Sequence, residues 1–379
     1  MKIAFFSDTW LPNKDGVVTT MINYRRELEA EGHSVFIFAS ADSKTIKQNA
    51  DERVFLFRSL PFPPYPQYKI ALFPFPAKNK ALENKVELVH CHGIASMGLA
   101  ALNTASDLKL PSVATFHTLI PSATRVITKS EMGQKIAAQV AWRAMAAFYS
   151  RFDAVTVPSH AIQRALAEHG VHSTIVPNAI DTVRFKPGLD GSAIRKKLGL
   201  ARGEKMVLTT GRVSLEKNVD VLVRAARGVE NSRFVIVGDG PARKELMRLA
   251  HSEGVIHKFI FTGLVSDAEL PQYYAACDVF VTASTFETQG LALLEAMACG
   301  KPAVAADALA LPEAVENGKN GFLFRPFSEA ECAGKISAVL NADKKTYARM
   351  ARTSRKVAEK YSLFESTRKL VAVYEKLLH

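Results

Sequence analysis

Short apolar runs alternate along the chain with segments whose apolar residues recur at helical spacing, and this alternation constrains the fold most. Between the first two runs, Val18, Met21, Ile22 and Leu28 keep helical spacing until Gly32. Strand, helix and strand at such short intervals indicate parallel strands joined by right-handed crossovers. The strands predicted in the first half are residues 2–7, 34–39, 87–90, 112–116 and 153–157.

The same alternation begins again after residue 187, and 379 residues are too many for one ordinary core. We therefore predict an α/β fold of two doubly wound, Rossmann-like domains, residues 1–175 and 188–361, with an interdomain cleft. A last helix over about residues 362–379 is expected to pack on the N-terminal domain. The elements predicted in the second half are strands 205–210, 234–237, 259–262, 279–282 and 302–305, with helices that include 242–253 and 291–299.

The net charge of +12 predicts attraction to an anionic partner, and composition leaves nucleic acid, acidic phospholipid and phosphorylated small molecules open. No apolar run is long enough to cross a membrane, and polar residues follow the start too soon for a secretory signal. We therefore expect a cytoplasmic protein. Its cysteines, none of them in a C-x-x-C pair, are expected to be reduced and mostly buried: Cys91, Cys277, Cys299 and Cys332.

Two segments break the alternation. Residues 60–76 mix prolines with aromatics, which excludes a regular helix or a central strand. They form either a rigid loop that caps the sheet or an apolar lip that meets a lipid acceptor or a membrane. Within residues 122–152, a predicted core stripe and a basic face share one helix. The stripe is Trp142, Met145, Tyr149 and Phe152, and the basic face, solvated or docked on anionic lipid, is Lys135, Gln139 and Arg143 with Arg125 and Lys129 upstream.

The strongest chemical signal lies in residues 286–300. A predicted strand ends at residue 282, Glu287 lies in the turn that follows, and Gly290 opens a helix that carries Glu295. A helix start offers unpaired backbone N–H groups and the positive end of a dipole, which suit a phosphate, and glycine permits its close approach. Two carboxylates beside that phosphate accept hydrogen bonds from sugar hydroxyls. The segment therefore suits a sugar–diphosphate–ribose.

Arg212 and Lys217 follow the predicted strand at 205–210. Two cations at a strand end neutralise a diphosphate through charge-assisted hydrogen bonds, without a metal. His90 and His92 lie two residues apart on one face of a strand, but no third ligand accompanies them. We interpret these histidines as packing at a strand end.

These residues carry a resemblance that spans nearly the whole chain. Gly211-Arg212 with Lys217, the run Gly-Asp-Gly-Pro at 238–241, and glutamates at 287 and 295 resemble retaining glycosyltransferase family 4, which has the GT-B fold. The N-terminal half is similar to the family in three places: around Gly16, at Phe116-His117 and at residues 176–181. In the first of these, Asp15 stands where the family commonly has a second glycine. Residues 287–291 and the proline–aromatic segment look like the lipid branch, notably the diacylglycerol glucosyltransferases.

The resemblance implies a metal-independent hexosyltransferase with no cofactor, whose donor is a UDP- or GDP-hexose and whose acceptor is a membrane glycerolipid. It also implies peripheral contact with an anionic membrane surface at the inner face of the cell membrane, and no nucleic-acid partner. Arg212 and Lys217 would clamp the diphosphate, Glu295 would bind the ribose, and Glu287 the transferred hexose. His117 would lie across the cleft by the reactive face of the sugar, and the donor site would be completed by Gly16, Gln289, Gly290 and Leu291.

Three other functions stay open from the sequence. The same enzyme class could act on a soluble sugar, a sugar phosphate or a glycan. An NAD-dependent oxidoreductase is suggested by Gly238 and Gly240, although Arg243 occupies the position of the third glycine. A nucleic-acid-binding protein is suggested by the charge, but the basic residues are dispersed and no binding module is visible.

Overall fold

The computed structural model describes residues 1–13, 15–62, 65–72, 74, 76–119 and 130–379, and it divides into two compact units. Unit 1 comprises Met1–Ala179 and Leu363–His379, and unit 2 comprises Ile180–Ser362. Each unit has a largely parallel sheet with helices between its strands. The predicted α/β class, with two doubly wound, Rossmann-like domains, is confirmed.

Unit 1 contains an eight-stranded sheet. Its strands are β1 (Lys2–Ser7), β2 (Ser34–Ala41), β3 (Val54–Phe62), β4 (Tyr65–Ala71), β5 (Leu88–Cys91), β6 (Ser112–Thr115), β7 (Ala154–Val157) and β8 (Thr174–Ile175). They lie in the order β4-β3-β2-β1-β5-β6-β7-β8. The helices between them are α1 (Gly16–Ala30), α2 (Ser43–Gln48), α3 (Ala77–Glu83), α4 (Ser96–Leu108), α5 (Glu131–Tyr149) and α6 (His160–Ala167).

The prediction of a rigid loop at 60–76 is corrected in part, because residues of this segment belong to two paired strands, neither of them central. β3 and β4 pair antiparallel, with Ser59 opposite Ala71 and Leu60 opposite Ile70. The hairpin lies at the edge of the sheet, where strands tolerate proline because a missing N–H breaks no ladder bond there. The apolar lip stays a prediction, and its residues 63, 64, 73 and 75 lie outside the described residues.

Unit 2 contains a six-stranded sheet in which the described pairs are parallel. Its elements in chain order are α7 (Ser192–Lys197), β9 (Lys205–Thr210), α8 (Val219–Ala225), β10 (Ser232–Val237), α9 (Arg243–Ser252), β11 (Phe259–Gly263), α10 (Leu270–Ala276), β12 (Val279–Thr282), α11 (Leu291–Ala298), β13 (Ala303–Ala306), α12 (Leu311–Ala314), β14 (Gly321–Phe324), α13 (Glu329–Leu340) and α14 (Lys344–Glu359). The order β11-β10-β9-β12-β13-β14 places β9 and β12 side by side at the middle of the sheet.

The last helix, α15 (Leu363–Leu378), belongs to unit 1. Its Leu370 and Tyr374 are fully buried in the core of that unit. The Tyr374 hydroxyl lies 2.5 Å from Nδ1 of His90, and Nε2 of the same histidine lies 2.6 Å from Oγ1 of Thr115. A buried imidazole with both nitrogens hydrogen-bonded therefore joins the last helix to the middle of the sheet.

Helix α5 buries one face and exposes another. Met145, Tyr149 and, just beyond the helix, Phe152 are buried as predicted, while Trp142 is half-buried and stacks on His169 at 4.3 Å between ring centroids. Lys135, Gln139 and Arg143 are exposed, and Arg125 and Lys129 lie outside the described residues. The exposed side also carries an apolar stripe that the sequence analysis missed: Met132, Ile136 and Val140, with exposed fractions of 66%, 55% and 59%.

The four cysteines are free and buried, which confirms that prediction. A search of the described residues for a helix both long and apolar enough to cross a membrane finds none.

Candidate active site

Three loops of unit 2 leave the sheet at the carboxyl ends of neighbouring strands. Arg212 follows β9, Gly238 follows β10, and the turn with Glu287 follows β12. Parallel strands bring these ends to the same edge, where ligands bind in open α/β sheets. One pocket there is lined by Thr210, Gly211, Arg212, Lys217, Val237, Glu287 and Gly290, among others.

The loops after β9 and β10 touch backbone to backbone. The Gly211 N–H donates to the carbonyl oxygen of Val237 at 2.9 Å. A Cβ atom on Gly238 would lie 1.9 Å from the carbonyl oxygen of Gly211, which no real side chain can do. This close approach requires glycine at position 238. The contact between the two loops therefore explains the glycine that had suggested a dinucleotide-binding motif.

Lys217 and Glu287 form an ion pair across the pocket. Lys217 Nζ donates to Glu287 Oε1 at 2.6 Å. The short 3₁₀ turn that carries the lysine is anchored by the next residue, since the Asn218 side-chain amide donates to the carbonyl oxygen of Ala283 at 3.1 Å. The loop after β9 thus holds its cation against the loop after β12.

The same pair determines the ionisation of Glu287. Burial by itself would raise the pKa of this carboxyl, but the Lys217 ammonium and a hydrogen bond from Ser284 hold the pKa below its usual value. Glu287 is therefore an anion at neutral pH. Both side chains keep some exposure, 29% for the lysine and 20% for the glutamate, so the pair stays accessible to a ligand.

Gly290 starts α11 in a conformation that favours glycine. Its φ is +87°, and a Cβ atom there would lie 3.0 Å from Cδ2 of Leu311. As N-cap it has no side chain with which to accept a hydrogen bond from the first turn. Leu293 and Leu294 bury their side chains in that turn, and Leu293 also lines the pocket. The helix therefore presents its amino end beside the pocket, as a phosphate site requires.

Glu295 lies one turn inside α11 and is not among the residues that line the pocket. Its Oε2 accepts a hydrogen bond from the Tyr274 hydroxyl at 2.7 Å, and that hydroxyl is 2.7 Å from Oγ1 of Thr210, which does line it. Burial raises the pKa of Glu295 to about 7, although the Tyr274 hydrogen bond and the charge of Arg184 oppose the rise. This carboxyl therefore titrates close to neutral pH.

The two remaining predicted residues belong to unit 1. Gly16 is the exposed first residue of α1, and the N-cap Asp15 accepts hydrogen bonds from the Val18 N–H at 2.9 Å and the Thr9 hydroxyl at 2.8 Å. An acid therefore already satisfies one N–H group at the start of α1.

His117 follows β6 and is partly buried. Its Nε2 lies 2.9 Å from Nδ1 of His92, and the His92 ring is tilted by 38° against the His90 ring, with 4.0 Å between centroids. Burial lowers the pKa of His117 to about 3 and lowers those of the other two imidazoles. All three are therefore neutral at physiological pH. Within the described part of the chain, no group of three His, Cys, Asp or Glu side chains is placed to hold a metal ion.

The structure brings together Arg212, Lys217, Glu287 and Gly290, which line one pocket. Gln289 is buried and Leu291 half-buried on either side of Gly290. Sequence reasoning missed Thr210 and Tyr274. No local signal separates Tyr274 from its neighbour Tyr273, because both are buried residues of one short helix.

Replacing Gly238 by alanine should destabilise the pocket by more than the cost of placing an alanine at positive φ. The added methyl group would press on the carbonyl oxygen of Gly211, so the loop with Arg212 must move. We expect a loss of roughly 3 kcal/mol or more in the protection of β9 and β10 amides, measured by hydrogen–deuterium exchange.

The matched control is Gly254→Ala, also at positive φ but with open space around the new methyl group. Its cost should stay near the torsional penalty of roughly 1–2 kcal/mol. Equal losses in the two variants would show that the loop contact contributes nothing.

Two family profiles match the chain, one over each half. The profile of the family described as Glycosyltransferase Family 4 matches residues 14–184, and that of Glycosyl transferases group 1 matches residues 190–357. The alpha-monoglucosyldiacylglycerol synthase of Streptococcus pneumoniae is 31% identical over 90% of this chain and 79% of its own. The GDP-mannose-dependent alpha-mannosyltransferase of Mycolicibacterium smegmatis is 30% identical over 93% of this chain and 92% of its own.

A solved structure, that of Anabaena HepE in complex with UDP and glucose, has the same fold. The TM-score is 0.81 at 24% identity, over 100% of both chains. The chain therefore belongs to glycosyltransferase family 4 and is a glycosyltransferase with the GT-B fold.

Proposed function

We propose that the protein transfers a hexose from UDP- or GDP-hexose to a hydroxyl of a membrane glycerolipid, with retention of anomeric configuration and without a metal. The nucleotide-sugar donor is supported by one observation, the pocket where Arg212, the Lys217–Glu287 pair and the start of α11 meet. The glycerolipid acceptor is supported by the similarity to an alpha-monoglucosyldiacylglycerol synthase.

The main catalytic contribution is electrostatic. As the bond between the anomeric carbon and the diphosphate oxygen breaks, negative charge grows on the departing diphosphate. The acceptor oxygen bonds to the same face of the sugar and passes its proton to that diphosphate. Arg212, Lys217 and the amino end of α11 stabilise the growing charge.

The two glutamates take different parts of the donor. A lysine ammonium has three N–H donors, so Lys217 can keep Glu287 and still donate to a phosphate. Glu287, held as an anion, accepts from a hydroxyl of the hexose, and Glu295 accepts from the ribose. Any roles of Gln289 and Leu291, and of Gly16 and His117 in unit 1, stay predictions from the family resemblance.

Helix α5 supports a membrane acceptor. Met132, Ile136 and Val140 lie four residues apart and are exposed, with Lys135 and Arg143 exposed near them. An apolar stripe with cations beside it is typical of a helix that lies in the interface of an anionic membrane. The net charge of +12 favours the same surface. Peripheral contact of a cytoplasmic protein with the inner face of the membrane is therefore part of the proposal.

A soluble acceptor is the second candidate. It is favoured by the similarity to a D-inositol 3-phosphate glycosyltransferase of Nocardia farcinica, which is 31% identical over 69% of this chain and 60% of its own.

A transfer screen tests the proposal. UDP-glucose, GDP-glucose and GDP-mannose are each offered with diacylglycerol in vesicles and with soluble sugars, sugar phosphates and glycans. We expect transfer to the lipid, with the anomeric configuration of the donor kept in the product by NMR. Transfer to soluble acceptors alone would favour the second candidate, and the absence of any transfer would contradict both.

Lys217→Ala should lower turnover far more than donor affinity, because its charge matters most when the diphosphate is leaving. We expect kcat to fall by about 100-fold or more and the donor Kd to rise by less than about tenfold. The control is Lys319→Ala, a substitution of an exposed lysine elsewhere in unit 2, which should change neither. Equal losses in kcat and affinity would contradict the role given to Lys217.

The α5 stripe is tested by vesicle co-sedimentation. The protein should bind vesicles that contain phosphatidylglycerol, less tightly as salt rises. The double variant Ile136→Ser/Val140→Ser should weaken binding by about tenfold, since two apolar side chains no longer enter the lipid. Phe327→Ser removes an exposed apolar side chain from unit 2 and serves as the control. An equal loss in the control, or no binding by the parent protein, would remove α5 from the proposal.

A further inference from the structure

A short chain of hydrogen bonds connects the end of β9 with α11. Oγ1 of Thr210, the last residue of β9, lies 2.7 Å from the Tyr274 hydroxyl, and that hydroxyl donates to Glu295 Oε2 at 2.7 Å. Thr210 lines the donor pocket, whereas Tyr274 on α10 is 0% exposed. The tyrosine therefore cannot contact a donor, and its influence on one must pass through its neighbours.

The single phenol proton fixes the direction of this chain. Because Tyr274 gives its proton to Glu295, the Thr210 hydroxyl must be the donor in the other bond. Burial raises the pKa of Tyr274 well above its ordinary value, so the phenol stays protonated throughout the physiological range. The chain thus runs from Thr210 through Tyr274 to Glu295 in one sense.

Packing fixes the position of the phenol oxygen. The Tyr274 ring meets the Phe185 ring edge-on, at 5.6 Å between centroids and 79° between planes, and lies 6.1 Å from the Phe280 ring. A ring held on two sides keeps its hydroxyl in one place, and a carboxylate bound to it keeps one orientation. Within the described residues, the hydrogen bond to Tyr274 uses Oε2 of Glu295 and leaves Oε1 without a protein donor.

We propose that Tyr274 is the positioning residue for the donor's ribose: it holds Glu295 so that the remaining carboxylate oxygen accepts the vicinal hydroxyls, and Thr210 ties this arrangement to the diphosphate end of the pocket. The inference rests on the proposed function, in which Glu295 binds the ribose. It adds a residue that touches no donor atom yet determines how tightly the ribose is bound.

The charges around Glu295 give the role a pH signature. Burial raises its pKa to about 7, the Tyr274 hydrogen bond and Arg184 lower it, and Asp267 raises it. Only the carboxylate accepts from both ribose hydroxyls, so the ribose part of the affinity is complete above this pKa and is lost as the pH falls through it. Removing the phenol removes a lowering influence, so the midpoint must move to higher pH.

The test compares nucleoside diphosphates with and without ribose hydroxyls. UDP and GDP are titrated by calorimetry against the full chain, and whichever binds is compared with its 2′,3′-dideoxy form. Tyr274→Phe should lower the affinity for the ribonucleotide by about tenfold and leave the affinity for the dideoxy form unchanged. The affinity ratio of the two forms should also titrate at a higher pH than in the parent protein. The ratio cancels the titration of the phosphate, which both forms share.

The neighbouring tyrosine supplies a matched control. Tyr273 is 1% exposed on the same helix. Burial raises its pKa, and the charges that act on it are those of Lys197 and Glu269 rather than that of Glu295. Tyr273→Phe should change neither affinity nor midpoint. If Tyr274→Phe fails to fold, Thr210→Val breaks the same chain at its other end and should show the same selective loss at smaller size.

The outcomes separate the two proposals. A parent protein that binds neither UDP nor GDP overturns the proposed function, and this inference with it. If the parent protein binds one of them, two results for Tyr274→Phe overturn only the positioning role. One is an affinity equal to that of the parent protein, and the other is an equal loss of affinity for the nucleotide and its dideoxy form. If Tyr274→Phe does not fold, a Thr210→Val variant that shows no greater loss of affinity for the ribonucleotide than for its dideoxy form also overturns the positioning role.

Discussion

The candidate active-site pocket depends on the contact between two backbone loops at one edge of a parallel sheet. The loop after β10 lies so close to the loop after β9 that position 238 has no room for a side chain. That contact fixes the start of the segment that carries Arg212 and, a few residues later, Lys217. Two cations on a loop would otherwise repel each other and point into solvent. The pocket is therefore positioned by backbone packing, and its charges follow from that.

Two glutamates, one that lines the pocket and one behind it, differ in their surroundings. Lys217 lies against Glu287 and keeps it ionised, whereas Glu295 has a neutral phenol as its nearest partner, and burial brings its pKa close to 7. A carboxyl beside an ammonium and a carboxyl beside a hydroxyl have different proton affinities, although both are glutamates. This difference suits one to a permanent role as acceptor and makes the other sensitive to pH.

Unit 1 uses its side chains differently. Among its buried polar groups, His90 hydrogen-bonds to Thr115 and to Tyr374 and so holds the last helix on the sheet. Its notable exposed feature is apolar, the stripe on α5. The proposed function, with a charged donor and a lipid acceptor, would require both kinds of surface, and each unit supplies one of them.

The sequence by itself determined two largely parallel sheets, because strands and helices alternate along most of the chain. It also located Glu287, Gly290 and Glu295, since a strand end, a glycine and a helix start are local features. It could not reveal the hairpin at residues 60–71, because prolines exclude a central strand but not an edge strand, and only the sheet order shows which strand is at the edge.

Tertiary structure alone decided the rest. An apolar stripe at helical spacing indicates a core face, and α5 carries two of them, so only packing shows that the one with Ile136 is left in solvent. The adjacent tyrosines of α10 are equivalent in sequence, and the rotation of that helix against β9 and α11 is what turns Tyr274 toward Glu295. Local periodicity fixes which elements form, but the facing of a side chain is set by contacts between residues far apart in the chain.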